Sequence, residues 1–501
     1  GVFVLLLACI NFMNLSTARS EKRAKEVDIR KAVGSRRIQL IMQFFSESIL
    51  ISFLAFILSI LLVIIILPFF NTIADSKITI LWASPMFWVL GIGFSVLTGI
   101  IAGVYPALYL SSFKPVKVLK GAIRIGRYAA VPRKILVTSQ FAISITLIIG
   151  TIVVYQQIQY AQNRPLGYEK SGLVSINTTE VTHKHIEAIR TTLKGNGAII
   201  EMTETTSPMT AVYNTNGGFD WEGKDPNLPV DFPNNAVTEE YGKTIGWKIK
   251  EGRDFSRDFG TDSLAYILNE SAAIFMNLKD PVGKTLRWGD RSFKIIGVVE
   301  DMLIQSPYKP VRPSLFHLLR SQENSFVLKL NPEMSVSESM AKVETIFKNY
   351  NTSIPFVARF VDEEFDKKFG NEKRIGQLAA FFTFLAIFIS CLGLFGLASY
   401  VAEQRTKEIG VRKVLGVTVI RLWNMLSKDF LILVIIACAI AVPIAYYIMD
   451  SWLQKFDYRT SISWWISVFA SLGAIIITLI TVSYQSIKAA KSNPIKSLKT
   501  E

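Results

Sequence analysis

QRTKEIGVRKVLG, residues 404–416, decides how this chain is read, because KRAKEVDIRKAVG at 22–34 repeats it at a constant offset of 382 residues. Glu408, Arg412, Lys413 and Gly416 stand where Glu26, Arg30, Lys31 and Gly34 stand in the other copy. A glutamate four residues before an arginine is the favourable order for an ion pair along one helix face, and a glycine past the last turn lets the chain leave the helix. Ile409 and Leu415, with Val27 and Val33 in the other copy, give each short helix an apolar face suited to a partner's groove. A second pair of matches, SFKPVKVLK at 112–120 and SNPIKSLK at 492–499, shares Pro115 and Pro494 at an offset of 379. Three residues are therefore lost from the second copy between the two matches, a change that a turn absorbs.

Outward from these loops the chain is strongly apolar, 50% hydrophobic with a mean hydropathy of +0.34. Residues 48–70, 86–110, 135–155, 375–402, 430–449 and 462–487 form runs with few or no charges, each long enough to cross a bilayer core. Residues 1–18 form a seventh run, which reads as one cut short at its start. The net charge of +15 would suit nucleic acid, but its placement excludes that partner. Segments 18–44, 111–134, 402–428 and 487–501 hold 25 Lys/Arg against 6 Asp/Glu, whereas 156–373 holds 26 against 29. Alternate crossings put those four basic segments on one side, which is the cytoplasmic one, and place 156–373 outside the cytoplasm. Trp82, Trp88, Trp464 and Trp465 sit at span ends, as interfacial anchors do. Gly99 and Gly103 make a G-x-x-x-G pair suited to close helix packing.

Each copy ends in three spans, with a basic loop after the first and a basic end after the third. The second copy also shows a span at 135–155 and a large outer domain before them. The repeat predicts that the first copy starts about 250 residues upstream of Gly1, giving an intact protein of eight spans and two outer domains. The present chain divides into a first membrane unit at 1–134 with its loop at 18–44, a span at 135–157 leading into a stalk, the outer domain at 158–373, and a second membrane unit at 374–501 with its loop at 402–428.

The outer domain reads as α+β with short elements. Strands are predicted at 172–177, 264–269, 293–299, 325–330 and 355–361, and helices at 182–193, 270–276 and 336–350. Residues 361–373 are expected to lead, as a second stalk helix, back into the next span. Cys9, Cys391 and Cys438 all lie in apolar spans and imply neither a disulfide nor a metal framework. Gly283-Lys284-Thr285 is no phosphate loop, because Leu278 occupies the position of its first glycine. His183 and His185 open a predicted helix, where residues two apart face different ways. The acidic cluster Asp362, Glu363, Glu364 and Asp366 reads as a solvated face. No catalytic, metal or cofactor-binding set emerges.

TKEIGVRKVLG, with its twin and the layout of span, outer domain, three spans and a basic end, resembles the cytoplasmic-loop motif of FtsX/MacB-type ABC transporter permeases, in their tandem form. The resemblance covers nearly the whole chain. It implies a polytopic α-helical protein of the bacterial inner membrane with two FtsX-like repeats and a MacB-like α+β core domain in the periplasm. It further implies a type VII mechanism, mechanotransmission, in which ATPase subunits on separate chains bind ATP and drive the spans, which in turn work the outer domain. The permease itself is then non-catalytic and carries no cofactor. The coupling residues transferred by this resemblance are Glu26, Arg30, Lys31 and Gly34 in the first loop, and Glu408, Gly410, Arg412, Lys413 and Gly416 in the second. Asp28 departs from the family's glycine, present as Gly410 in the second copy, which implies unequal docking sites. Partners implied are ABC ATPase subunits and membrane lipid, and, for export of peptides, drugs or other periplasmic substrates, an adaptor and an outer-membrane duct. One full-length chain is expected per pair of ATPases. Export ranks first; a LolCDE-like lipoprotein-extracting permease, an FtsX-like regulator of cell-wall hydrolases and an ATP-independent sensor are the alternatives.

Overall fold

A backbone surrounded by hydrocarbon must satisfy its own hydrogen bonds, so the uncharged runs become helices. The computed structural model describes residues 2–15, 35–74, 76–111, 131–318, 325–350 and 354–491. They fall into two bodies, one of Gly1–Gln157, Glu372–Gln454 and Thr460–Glu501, the other of Ile158–Asn371 and Lys455–Arg459. The first body opens with α1 (Val2–Leu15), α2 (Arg37–Ala74), α3 (Pro85–Ser111) and α4 (Val131–Gln162). The helices α2 and α3 form a tight hairpin. A Cβ built on Gly99 would stand 2.7 Å from the Ile49 Cα, and one on Gly103 2.9 Å from Ser48 Oγ. Ser52 Oγ donates to the Ser95 carbonyl at 2.8 Å. Small residues at four-residue spacing thus let the two backbones approach, as helices in lipid require. At the far end of the hairpin Trp88 Nε1 donates to the Trp82 carbonyl at 3.1 Å.

The second body begins with β1 (Leu173–Asn177), α5 (Glu180–Lys184), α6 (Ile186–Gly195) and β2 (Ile199–Thr205). It continues with β3 (Thr215–Asn216), β4 (Phe219–Trp221), β5 (Phe232–Val237), α7 (Tyr241–Ile245) and β6 (Ile249–Gly252). Next come β7 (Ala265–Asn269), α8 (Glu270–Phe275), β8 (Thr285–Trp288), β9 (Arg291–Val299) and β10 (Leu315–Leu318). It closes with β11 (Ser325–Leu330), α9 (Val336–Tyr350), β12 (Ala358–Phe360) and α10 (Val361–Lys367). The main strand order is β12-β1-β11-β2-β5-β10-β7-β9-β8-β4. Only Thr205 and Val237 pair β2 with β5, so one sheet is divided into two modules by a narrow seam. On one side α6 and α9 cover β1, β11 and β2 with Ile189, Leu193, Val343 and Phe347 over Val174, Phe326 and Leu328. On the other, Phe219, Trp221, Phe232, Tyr266 and Phe293 build an aromatic core.

Beside the seam, Gly242 in α7 lies under the bond from Trp247 Nε1 to Asp254 Oδ2 (2.9 Å). A methyl at Gly242 would collide with both of those atoms. Burial raises the Asp254 carboxyl above its ordinary pKa, while the Trp247 and Phe255 N–H groups oppose that shift. Gly242→Ala is therefore expected to destabilise the outer domain by roughly 3 kcal/mol, since the overpacked site has no slack. Thermal unfolding followed by tryptophan fluorescence tests this, and an unchanged Tm contradicts it.

The chain re-enters the first body as α11 (Gly370–Gln404), followed by α12 (Thr406–Val414), α13 (Val419–Leu453) and α14 (Trp464–Lys491). Among the described residues six helices, α2, α3, α4, α11, α13 and α14, are long and apolar enough to cross a membrane. The repeat is visible in three dimensions. Arg37 and Val419, which begin α2 and α13, differ by 382, and Pro85 and Trp464, which begin α3 and α14, differ by 379. The three-residue loss therefore falls between the start of α13 and the start of α14. Antiparallel α4 and α11 are joined by Ser144 Oγ to Ser390 Oγ at 2.9 Å and Thr151 Oγ1 to Thr383 Oγ1 at 2.8 Å. These hydroxyls are seven residues apart on each helix, two turns along one face.

Candidate ATPase-docking site

The helix α12 carries the second loop motif. Its Glu408 and Arg412 carboxylate and guanidinium lie 2.7 Å apart, both side chains 44% exposed. Such a surface pair contributes only about 0.3–0.5 kcal/mol, so it orders the helix face rather than holding the fold. The helix ends by design of its sequence. Gly416 has φ +83°, the Val417 N–H reaches back to the Arg412 carbonyl at 3.0 Å, and the Gly416 N–H to Lys413 at 3.1 Å. This is the six-to-one closure that a left-handed glycine allows.

Sequence reasoning put Ile409 and Leu415 on one contact face, and the structure separates them. Ile409 is 2% exposed and packs on Leu422 and Leu426, with Val401, Val417, Met425 and Ala489 beside it. It fastens α12 to α13 and its neighbours. Val411, Val414, Leu415 and Ile420 point to solvent instead, Leu415 being 76% exposed. Gly410 is buried, and Lys413 is half-buried. Arg412 Nη1 also contacts the Met425 sulfur, and Arg405 pairs with Asp429 at 3.0 Å. Glu408 and Arg412 rim an exposed apolar patch on a helix that Ile409 anchors from behind, a surface with the apolar centre and polar rim of a protein interface. The apolar residues Val411, Val414 and Ile420 were missed because a nine-residue helix offers too few turns for periodicity alone to say which side is anchored. The first loop's residues Glu26, Arg30, Lys31 and Gly34 lie outside the described residues.

The remaining candidates resolve into structure. Gly283 has φ +86° in the turn before β8, and Lys284 faces Glu222 at 3.7 Å. Leu278 is a buried core residue. His183 Nδ1 pairs with the buried Glu204 carboxylate at 2.7 Å, whereas His185 Nδ1 turns to the Val181 carbonyl at 2.8 Å. Among the described residues no three His, Cys, Asp or Glu side chains are grouped to hold a metal. In α10, Glu363 and Asp366 are exposed as expected and Asp362 and Glu364 half-buried, but Phe365, and Phe369 just beyond the helix, are fully buried with Ala161, Leu303 and Tyr308. Lys368, between them in sequence, donates to the Ile304 and Gln305 carbonyls, and burial lowers its pKa to about 8 against the pull of Glu364.

Comparison with known proteins bears on the whole layout. The family model described as the FtsX-like permease C-terminal domain matches residues 1–115 and again 380–494. The model described as the MacB-like periplasmic core domain matches 136–346. The macrolide export ATP-binding/permease protein MacB of Aggregatibacter actinomycetemcomitans is 27% identical over 221 residues, 41% of this chain and 33% of that protein. MacB of Campylobacter jejuni is 31% identical over 119 residues, 24% of this chain and 18% of that protein. The matched part of this chain thus spans a third or less of the length of each of these two relatives. The periplasmic region of MacB from Actinobacillus actinomycetemcomitans aligns at 18% identity with a TM-score of 0.30, covering 42% of this chain and 98% of that one.

Proposed function

This chain belongs to the FtsX/MacB-like ABC transporter permeases, multi-pass inner-membrane proteins with a periplasmic domain, and we propose that it is a non-catalytic permease subunit working by mechanotransmission. ATP is bound and hydrolysed by ABC ATPase subunits on other chains, which dock on α12 and on the equivalent loop of the first repeat. Glu408, Gly410, Arg412, Lys413 and Gly416 form the second docking element, and Glu26, Arg30, Lys31 and Gly34 the first. The observation that carries this reading is the exposed apolar patch of α12, anchored on its other side by the burial of Ile409 against Leu422 and Leu426 of α13 and Val401 of α11. A knob anchored in this way passes force to α11 and α13 instead of yielding to it. Export of periplasmic substrates is the activity favoured, since the relatives named above are macrolide exporters. An adaptor and an outer-membrane duct would complete that route.

The test is to tag the full-length protein, purify it in mild detergent from its own host and identify what accompanies it. An ABC ATPase is expected in the purified complex, in a ratio of two ATPase chains to one permease. A folded permease that never retains an ATPase contradicts the proposal.

A further inference from the structure

The repeat offset that links the two loops continues back into the helices before them. Shifting α1 by 382 residues lays Cys9 on Cys391, Asn11 on Gly393, Asn14 on Gly396 and Leu15 on Leu397. The two copies are alike in pattern except that asparagines in one face glycines in the other. The structure brings these positions together. The bare Cα of Gly393 lies against Asn11, where a Cβ would collide with Asn11 Oδ1. One helical turn on, a Cβ at Gly396 would collide with the Leu15 side chain. In a two-fold arrangement a residue touches its own counterpart only on the axis, so Asn11 and Gly393 mark the pseudo-two-fold axis between the repeats.

The chemistry there is unequal and buried. A Cβ on Gly393 would also stand 3.3 Å from Gln140 Nε2 of α4, so the amides of Asn11 and Gln140 converge on the same bare stretch of α11 backbone. Gln140 is 2% exposed and Asn14 1%. Asn11 Oδ1, Gln140 Nε2 and both amide atoms of Asn14 are buried without a hydrogen-bond partner among the described residues. Amides in a membrane bundle carry a cost that only a specific arrangement of neighbours justifies. A single buried asparagine is also known to fix which helices pair and in what register.

We infer that Asn11 and Gly393 form an asymmetric lock by which the α1 helix of the first repeat and the α11 helix of the second recognise each other. The glycine face of α11 is fitted to the asparagine-bearing copy of that helix, not to another copy of itself. Two asparagines at the axis would need more room than this helix separation leaves. Two glycines would leave a void beside Gln140. One of each fills the space and keeps one amide next to Gln140, whichever helix supplies it. This assignment concerns pairing of the repeats and is independent of what the transporter moves.

The test places Asn or Gly at both positions in all four combinations in the full-length chain and follows thermal unfolding in detergent by tryptophan fluorescence. G393N, with two asparagines, and N11G, with two glycines, are each expected to lower the Tm by roughly 5 °C. The exchange N11G/G393N is expected to return most of that loss. If the asparagine pair fails to yield folded protein, recovery of monodisperse protein by the exchange is the readout. The inference is overturned if either like pair is as stable as the native chain, or if the exchanged pair is no more stable than the like pairs.

Discussion

Replacing Val414 and Leu415 together by aspartate is expected to weaken ATPase binding by about two orders of magnitude or more, with the permease still folded. Interface energy concentrates in a few apolar anchors, each costing about 2 kcal/mol or more when lost, and every 1.4 kcal/mol is tenfold in affinity. Val414 is 66% and Leu415 76% exposed, so neither supports the fold. Arg412→Glu is expected to act by a second route. It sets two acidic side chains four residues apart where an ion pair now stands at 2.7 Å, which reverses the rim charge and slows association more than it speeds release. Ile409→Asp would weaken binding too, but by loosening α12 from Leu422 and Leu426, and its Tm should fall where that of the V414D/L415D pair does not. Co-purification of the ATPase, read beside the melting curve of each variant, separates the two effects. Retention of the ATPase by the V414D/L415D pair at native level would remove α12 as the docking element.

How much of this was legible beforehand differs by element, for physical reasons. The spans were plain because lipid permits few alternatives to a long uncharged helix. Strand β11 was predicted at its observed bounds of Ser325–Leu330, and α9 at Val336–Tyr350. Strand β5 was not predicted at all. Its sequence FPNNAV reads as a turn, yet all six residues are buried. Asn234 Oδ1 meets His317 Nδ1 at 3.1 Å, and the Ala236 N–H meets Thr206 Oγ1 at 3.0 Å. Tertiary partners overrode local preference there, and no local signal announces them. The helix expected at 182–193 is two helices, Glu180–Lys184 and Ile186–Gly195, because His185 leaves helical geometry at φ −110°, ψ 17°. The capping box that starts the first of them pairs Thr179 with Thr182, a threonine where the usual sequence signature has Glu or Gln, so the pattern does not announce it. The strand expected at 355–361 shrinks to Ala358–Phe360. The second stalk helix expected over 361–373 is interrupted at Lys368 and Phe369, where α10 ends before α11 begins. Charge pattern drew attention to the outer face of α10, while Phe365 and Phe369, spaced one turn apart, are what fix it in place.

Tyr458→Ala is expected to leave ATPase docking intact and to disconnect the outer domain from it. Lys455–Arg459 joins α13 to α14, yet it belongs to the body formed by the outer domain. Tyr458 secures it there in three ways. Its N–H donates to the Tyr308 carbonyl at 2.9 Å, its ring stacks on Tyr160 with centroids 4.6 Å apart, and the Arg164 guanidinium lies 4.1 Å above it. Arg164 in turn donates to the Pro307 and Lys309 carbonyls at 3.1 and 2.6 Å, and Phe456 packs on Tyr308 with centroids 5.0 Å apart. The ring of Tyr458 thus ties the α13–α14 link to the end of α4, the helix that enters this body at Ile158. An aromatic stack contributes about 0.5–1.5 kcal/mol and a cation over a ring about 0.5–1 kcal/mol. Their joint loss should raise local opening of 302–311 by about tenfold or more, read as faster amide hydrogen exchange in that segment. With ATPase bound, the exchange of 302–311 in the native protein should differ between ATP and ADP, and in the Tyr458→Ala protein it should not. Tyr458→Phe keeps the stack and is expected to behave as native. A nucleotide-dependent difference that survives Tyr458→Ala would mean that motion reaches the outer domain through α4 and α11 alone.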